Sequence, residues 1–407
     1  MTTNTITTMT LNPTQPNPNF YSNIITLKWF TLLADLKFFS AMRTVYFALI
    51  LGSNTLAGIL LSVYTLTAVI VDVPLGLFSD IYGKRKTIIL GSVCSFVGVA
   101  CYAFGNDLRL LVIGSILEGI AMACFSGNNE VIVYESLELE GKVDQFGKEF
   151  GKIMSYFQMA MIIASLGSLL SYFSLNWCVW ISLIPLLANV GLATRIIEPT
   201  KDTINPKPVN NPNLKQFVVS LLVELKDNPK LLILGLLNSL EYAFAETTYY
   251  FRGNFVATLW ALPLIGVSKI FSSICGTISF RIADKVISKF GANKTLIYGN
   301  VLARIIDILA TILNSTLSPV LIGLSSLTYG TTTITQKTLL QNQLKSEFRA
   351  SIPSFFSLIG NLIFCLFSIS FGLLSDNYGV FWSFMIFQLG YVGISIGYWL
   401  YGYRFES

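Results

Sequence analysis

The fold class this sequence predicts is an all-α polytopic membrane protein, with twelve transmembrane helices in two pseudo-symmetric six-helix bundles. Three observations predict it. Hydrophobic residues fill 53% of 407 positions, charged residues only 12%, and the mean hydropathy is +0.64. Average soluble domains carry roughly twice that charged share, so lipid must be the solvent for most of this chain. Twelve stretches have the roughly 20 mostly apolar residues that a bilayer-spanning helix needs. A link rich in proline and asparagine divides those stretches six and six.

In chain order the stretches lie near 26–50, 55–78, 87–105, 109–133, 153–173, 177–195, 231–252, 258–282, 295–314, 317–338, 354–375 and 380–402. Short turns such as Gly105-Asn106-Asp107 or Asp376-Asn377-Tyr378-Gly379 follow the odd-numbered ones. Longer charged loops follow the second, fourth, eighth and tenth. Of the 27 Lys and Arg, 21 lie at the termini, in the middle link or in those charged loops. Arg109 and Arg252 lie on the opposite side, and Lys37, Arg43, Lys269 and Arg304 fall inside spans. By the positive-inside rule both termini and the charged loops are cytoplasmic, and the expected location is the cell (inner) membrane. An even number of crossings demands the same side for both termini. Trp29, Trp177, Trp260, Trp382 and Trp399 fall near predicted interfaces, where tryptophan anchors helices.

The expected organisation is a disordered cytoplasmic tail at 1–23, an N-terminal bundle at 24–196, a cytoplasmic linker at 197–230 and a C-terminal bundle at 231–403. The tail is rich in Thr, Asn and Pro, and lacks the basic start and cleavage site of a signal peptide. The linker carries four prolines and four asparagines within 198–215, which cannot continue a helix. Glu149-Phe150 followed by Ser155-Tyr156-Phe157 recurs as Glu347-Phe348 followed by Ser354-Phe355-Phe356, each copy leading into the fifth helix of its half. Duplication of a six-helix unit accounts for that. Six cysteines fall in apolar segments with no C-x-x-C pair and read as packing thiols, not as a disulfide or metal framework.

Between the second and third stretches stands Gly76-Leu77-Phe78-Ser79-Asp80-Ile81-Tyr82-Gly83-Lys84-Arg85-Lys86. Gly76 permits two helices to approach closely. Asp80 sits at a helix end, where it can meet a neighbouring helix N-terminus or a basic side chain. Gly83 permits a tight turn, and the three basic residues suit an anionic cytoplasmic face. This segment resembles the cytoplasmic loop motif of the major facilitator superfamily. A degenerate counterpart follows the eighth stretch, with Asp284, Lys285, Lys289, Gly291 and Lys294. Asp72-Val73-Pro74-Leu75-Gly76, Ser126-Gly127 with Tyr134-Glu135-Ser136-Leu137, and Phe348-Arg349-Ala350 resemble elements of a bacterial drug-efflux-like branch. The resemblance implies alternating access between two rocking bundles, with the first, fourth, seventh and tenth helices lining a central cavity and the loop around Asp80 latching its cytoplasmic side. Two departures from the family antiporters stand out. Ser115 occupies the place of a fourth-helix arginine, with Glu118-Gly119 where Gln-Gly is usual, and the fifth helix has Gly167 but no Gly-Pro pair.

Ionisable groups inside a span are functional candidates, because burying them unpaired in lipid is costly. Asp35 lies about 12 Å into the first helix at 1.5 Å per residue, near the midplane. In a continuous helix Arg43, eight residues on, shares nearly its face, and Lys37 points away toward an interface. Glu118 lies deep in the fourth helix and Glu241 and Glu246 in the seventh. Five residues apart, those two glutamates cannot share a face, so one of them looks into the cavity. Carboxylates in a partly dehydrated cavity suit proton exchange or cation binding. The bland alternative is mutual neutralisation, of Asp35 by Arg43 or across helices. Arg304 and Asp307, three apart, read as a structural pair, and Lys269 as a counter-ion or a snorkelling residue. Phe38, Phe39, Tyr242, Tyr249 and Tyr250 could stack on a flat solute or simply pack.

The chain has no histidine, which excludes a His proton relay and a Ser-His-Asp triad, and no P-loop. No cofactor, metal or nucleic-acid partner is expected; the partners are a small-molecule solute, protons and the lipid bilayer. The expected function is secondary active transport by alternating access, with efflux of drug-like or amphipathic compounds coupled to protons as the leading direction. A nutrient or metabolite importer of the same fold is the alternative. A non-transporting membrane sensor is the rival from another class, disfavoured because no output domain follows the last helix, and an enzyme is not expected.

Overall fold

The computed structural model describes residues 20–199, 221, 223–345, 348–349 and 351–406. The predicted tail at 1–23 and linker at 197–230 fall largely outside them, as do Glu347 and Ala350. The described chain is helical and contains no strand. Twelve transmembrane helices pack as two bundles of six. Nine of the described helices are long and apolar enough to cross a membrane on those grounds alone. The first, seventh and tenth spans are the exceptions. The first is interrupted into Tyr21–Asp35 and Arg43–Leu51, and the tenth into Ser318–Ser325 and Tyr329–Gln341, while the seventh, Pro229–Ala257, carries Glu241, Glu246 and Arg252.

The second span, Asn54–Tyr82, opens on Ser53, whose hydroxyl caps the amide of Leu56. The third, Lys84–Phe104, follows after the single residue Gly83, which the turn requires at φ +100°. The fourth is Leu108–Phe125 continued by Asn128–Leu139, with the bend at Gly127, and the fifth is Phe146–Leu166 ending in a short 3-10 turn. Leu175–Ala193 is the sixth. In the second half Ile265–Phe290, Ala292–Leu313, Ser351–Tyr378 and Val380–Glu406 are the eighth, ninth, eleventh and twelfth. Packing repeats between halves: spans 1–5, 1–6, 2–4 and 3–6 touch as 7–11, 7–12, 8–10 and 9–12 do.

The halves meet at one end and part toward the other. Spans 2 and 11 and spans 5 and 8 join them along two seams, and spans 1 and 7 meet as well, with Thr44 bonded to the Tyr250 carbonyl at 2.7 Å. At the end remote from Asp80, called here the far end, a Cβ added to Gly58 would lie 2.2 Å from the backbone oxygen of Ser368, and one added to Gly266 would lie 1.8 Å from that of Ser165. Five helical turns along the same face of span 2, a Cβ on Gly76 would meet nothing within 4 Å. About four turns from Ser165 on span 5, Gly151 is equally open. The hydrogen bonds between the halves gather at the closed end, including Ser62 to the carbonyl of Cys365 at 2.9 Å and Ser168 to that of Pro263 at 2.7 Å. The expectation that Gly76 serves a close helix approach is therefore not met in this conformation, because the seam is splayed there. The cleft opens at the end carrying Asp80 and the basic loop.

Candidate functional site: the cleft between the halves

The interruption of the first span decides the geometry of the N-terminal side. Leu36 leaves the helix at ψ 60°, and the chain resumes through a 3-10 turn at Ser40–Met42 before Arg43. No Pro or Gly causes this. The amide of Phe38 donates instead to Ser182 Oγ at 2.8 Å, and the bare Cα of Gly167 admits the Phe38 backbone, where a Cβ would come within 2.2 Å of its oxygen. Freed backbone groups in a span persist only when protein re-satisfies them.

Two expectations fail for this reason. Asp35 and Arg43 do not share a helical face, and no ion pair joins them. Lys37 does not turn outward; its Nζ reaches Glu118 at 2.5 Å. Glu118 is buried and accepts as well from Ser95 Oγ at 2.7 Å, with Arg43 at 3.8 Å. Arg43 lies 5.3 Å from the ring centre of Phe39 and 5.4 Å from that of Tyr64, distances suited to cation–π attraction. Ser115, in the place of the antiporter arginine, shares a 3.1 Å hydrogen bond with Tyr102 and is fully buried. Asp35 is half-buried beside this cluster and has no side-chain hydrogen bond or ion pair among the described residues.

The seventh span sorts its two glutamates. Glu241 is buried within its own bundle, bonded to Gln336 and to Tyr391 at 3.3 Å. Around it lie Arg304 and Asp307, 3.1 Å apart, with Arg304 also donating to Gln388 at 2.9 Å and stacking 3.8 Å from the Tyr391 ring centre. Arg252, expected at the end of the span on the side opposite the charged loops, sits inside the longer helix Pro229–Ala257 and donates to Ser272 at 3.0 Å. Helical spacing puts Tyr242, Glu246, Tyr249 and Tyr250 on another face, toward the cleft. Glu246 is half-buried, with no side-chain hydrogen bond or ion pair among the described residues. Lys269 of the eighth span stands 4.2 Å from the Tyr249 ring centre and donates to the Ser40 carbonyl at 3.4 Å, so it touches the break in span 1. Tyr64 bonds to Met122 and Tyr242 to Asn361, which brings spans 2, 4, 7 and 11 to the same cleft.

At the open end, Asp72 and Asp80 are exposed and make no hydrogen bond or ion pair among the described residues. Lys84 is half-buried and turns inward, away from the membrane face expected for it, whereas Arg85 and Lys86 stay exposed. Lys84 Nζ is 3.3 Å from Glu135, Arg85 donates to the Thr194 carbonyl at 2.7 Å, and both their amides donate to Glu198 at 2.9 and 2.7 Å. A carboxylate on two free amides of a helix start is favourable both as a cap and with the helix dipole.

Sequence reasoning passed over one residue at the closed end. Asp376 accepts from Ser53 Oγ at 2.6 Å, the Asn54 amide at 2.8 Å, Asn54 Nδ2 at 3.1 Å, the Thr55 amide at 2.9 Å and Thr55 Oγ1 at 2.6 Å. The signal was available: Gly372-Leu373-Leu374-Ser375-Asp376-Asn377-Tyr378-Gly379 matches Gly76-Leu77-Phe78-Ser79-Asp80-Ile81-Tyr82-Gly83 at six of eight positions.

The sequence model of the Major Facilitator Superfamily matches residues 26–368. No curated protein sequence matches the chain. Among solved structures, the nucleoside transporter NupG superposes with a TM-score of 0.78 at 17% identity, covering 94% of this chain and 99% of that one. A bacterial homolog of the human lysosomal transporter Spinster, described as inward-facing and unoccupied, gives 0.74 at 13% identity over 96% and 98%. A D-xylose-proton symporter gives 0.69 at 14% identity over 92% and 96%. At such identities these likenesses speak for the fold alone.

Proposed function

The chain belongs to the major facilitator superfamily, and from that premise we propose that it is a secondary transporter of a small polar solute, working by alternating access. The observation that carries this reading is the pair of carboxylates, Asp35 and Glu246, one from each half, without a side-chain hydrogen bond or ion pair among the described residues, in a cleft open at a single end. Each half also holds a second buried carboxylate, Glu118 or Glu241, already engaged by its own bundle. The engaged pair fixes structure. The free pair is available to bind a cationic group or to carry protons, with Tyr64, Tyr242, Tyr249 and Tyr250 offering ring faces and hydroxyls. On this reading the open end is the cytoplasmic one, by the positive-inside rule, and Asp80 latches it when the halves rock together there.

Two observations bear on direction. The elements around Asp72 and Glu135 resemble a drug-efflux-like branch, which favours export of amphipathic compounds. The cleft itself carries Asp35, Lys37, Arg43, Glu246 and Lys269, a lining that favours a polar solute, and nucleoside and D-xylose transporters share the fold. Uptake of a polar metabolite is therefore the second reading.

Flux into and out of proteoliposomes, with nucleosides, pentoses, short peptides and lipophilic cations, each with and without a pH gradient, separates these. The expected result is transport of a polar solute driven by the gradient. Asp35→Asn and Glu246→Gln should each abolish the pH-driven component while leaving passive exchange. Glu241→Gln should reduce the amount of folded protein and spare the coupling of what remains. If both cleft variants stay fully coupled, the carboxylates are not the carriers.

A further inference from the structure

We propose that Asp376 is the far-end lock of the transport cycle, the counterpart of Asp80, and that the two aspartates close opposite ends of one helix pair in alternation. The proposal rests on the alternating-access reading and names the device that sets its resting state.

Spans 2 and 11 run antiparallel along the seam between the halves, and each ends in the same octapeptide, G-L-x-S-D-x-Y-G. The two copies adopt the same local structure. Each aspartate stands in the last turn of its helix, each final glycine has positive φ (+100° at Gly83, +86° at Gly379), and each glycine amide bonds the serine carbonyl four residues back, at 2.9 and 3.0 Å. What differs is the partner helix. At Gly372, one turn before Asp376, a Cβ would meet Asn54 O at 2.5 Å and Thr55 Cα at 2.6 Å. The glycine thus lets the start of span 2 come close enough for Asp376 to gather five hydrogen bonds from Ser53, Asn54 and Thr55. At Gly76, one turn before Asp80, the same position is open, and Asp80 is exposed without a hydrogen bond or ion pair among the described residues. One device is engaged and its copy is free, which is the arrangement an alternating lock needs.

The two targets are unequal. Span 2 begins Ser53-Asn54-Thr55, with hydroxyl, amide and backbone donors all aimed at one carboxylate. In the same register span 11 offers Ala350-Ser351-Ile352, where alanine and isoleucine have no side-chain donor. Asp80 would therefore find fewer donors than Asp376 has. The far-end lock is the stronger, and the resting protein is closed at the far end, the conformation described above. Solute or proton binding in the cleft must offset that difference before the halves can rock.

Hydrogen–deuterium exchange of the full chain in lipid nanodiscs, read by mass spectrometry, tests this without a known solute. Asp376→Asn should speed exchange at the start of span 2 by about tenfold or more, since a charged acceptor is lost from several bonds at once. Exchange at the starts of spans 3 and 11, at the Asp80 end, should slow in the same protein as the equilibrium moves. Asp80→Asn should leave far-end protection intact or raise it. Ser53→Ala with Thr55→Val removes two donors, keeps the carboxylate, and should act like Asp376→Asn in a milder form should that variant fold poorly. Faster exchange at both ends together, or none at either, overturns the proposal by reducing Asp376 to a local cap. Opposite shifts without any solute flux would retain the lock and sink the transport reading instead.

Discussion

Replacing Glu118 by Gln should be the most destabilising single substitution among the buried charges of the N-terminal half. Glu118 neutralises Lys37 at 2.5 Å and faces Arg43 at 3.8 Å, and its own side chain is 1% exposed. Removing one partner of a buried pair typically costs about 3–5 kcal/mol, because the remaining charge stays buried without compensation. Here two cations remain, with the Asp35 carboxylate nearby. The loss should appear as a lower thermal unfolding midpoint in detergent and a smaller monodisperse fraction. The double variant Glu118→Gln with Lys37→Met removes one cation along with the carboxylate and should recover much of the stability. Transport should not return with it, since the break in span 1 loses the contact that positions Asp35. A Gln variant as stable as the parent would mean that water, not Glu118, solvates Lys37 and Arg43.

The reason these contacts were partly illegible in the sequence lies in the break at Leu36–Phe39. Periodicity assumes a continuous helix, and nothing local in Asp35-Leu36-Lys37-Phe38-Phe39 argues otherwise. The helix is broken from outside, by Ser182 taking the Phe38 amide and Gly167 making room for its backbone. Those residues lie more than a hundred positions along, so the face assigned to Lys37 was bound to be wrong. Where helices are continuous, spacing served well. Arg304 and Asp307 pair at i,i+3, and the five-residue separation of Glu241 and Glu246 does put them on different faces, although only packing could say which one meets the cleft.

Transmembrane spans were legible because lipid demands long apolar stretches whatever their neighbours. The cleft was harder to read because its walls violate that demand. The first, seventh and tenth spans are the ones interrupted or loaded with polar groups. The repeated octapeptide was legible in principle. Its second copy reads as a short turn because it lacks the basic residues that mark the first.

Methyl wedges at the closed seam should produce the largest conformational effect. Gly58→Ala sets a Cβ 2.2 Å from the Ser368 backbone oxygen, and Gly266→Ala sets one 1.8 Å from that of Ser165. Carbon–oxygen contacts between helices run at about 3.3–3.6 Å, so each seam must widen by roughly 1 Å or more. Both obstacles are main-chain atoms, Ser368 inside span 11 and Ser165 in the last turn of span 5, and neither can swing aside as a side chain can. Neither substitution touches packing within a bundle. The halves should therefore stay folded while the far end parts, and overpacking of about 1–3 kcal/mol would shift the closed population by roughly fivefold to a hundredfold. Spin labels placed one on each half at the far end should report a longer distance, most of all in the double variant. Gly76→Ala and Gly151→Ala, where an added Cβ meets nothing within 4 Å, should leave that distance unchanged. They should instead hinder closure at the opposite end, so that both pairs of variants slow exchange but from opposite sides of the cycle. An unaltered far-end distance in Gly58→Ala with Gly266→Ala would show that the seam yields locally, and the halves could not then be treated as rigid bodies hinged at those glycines.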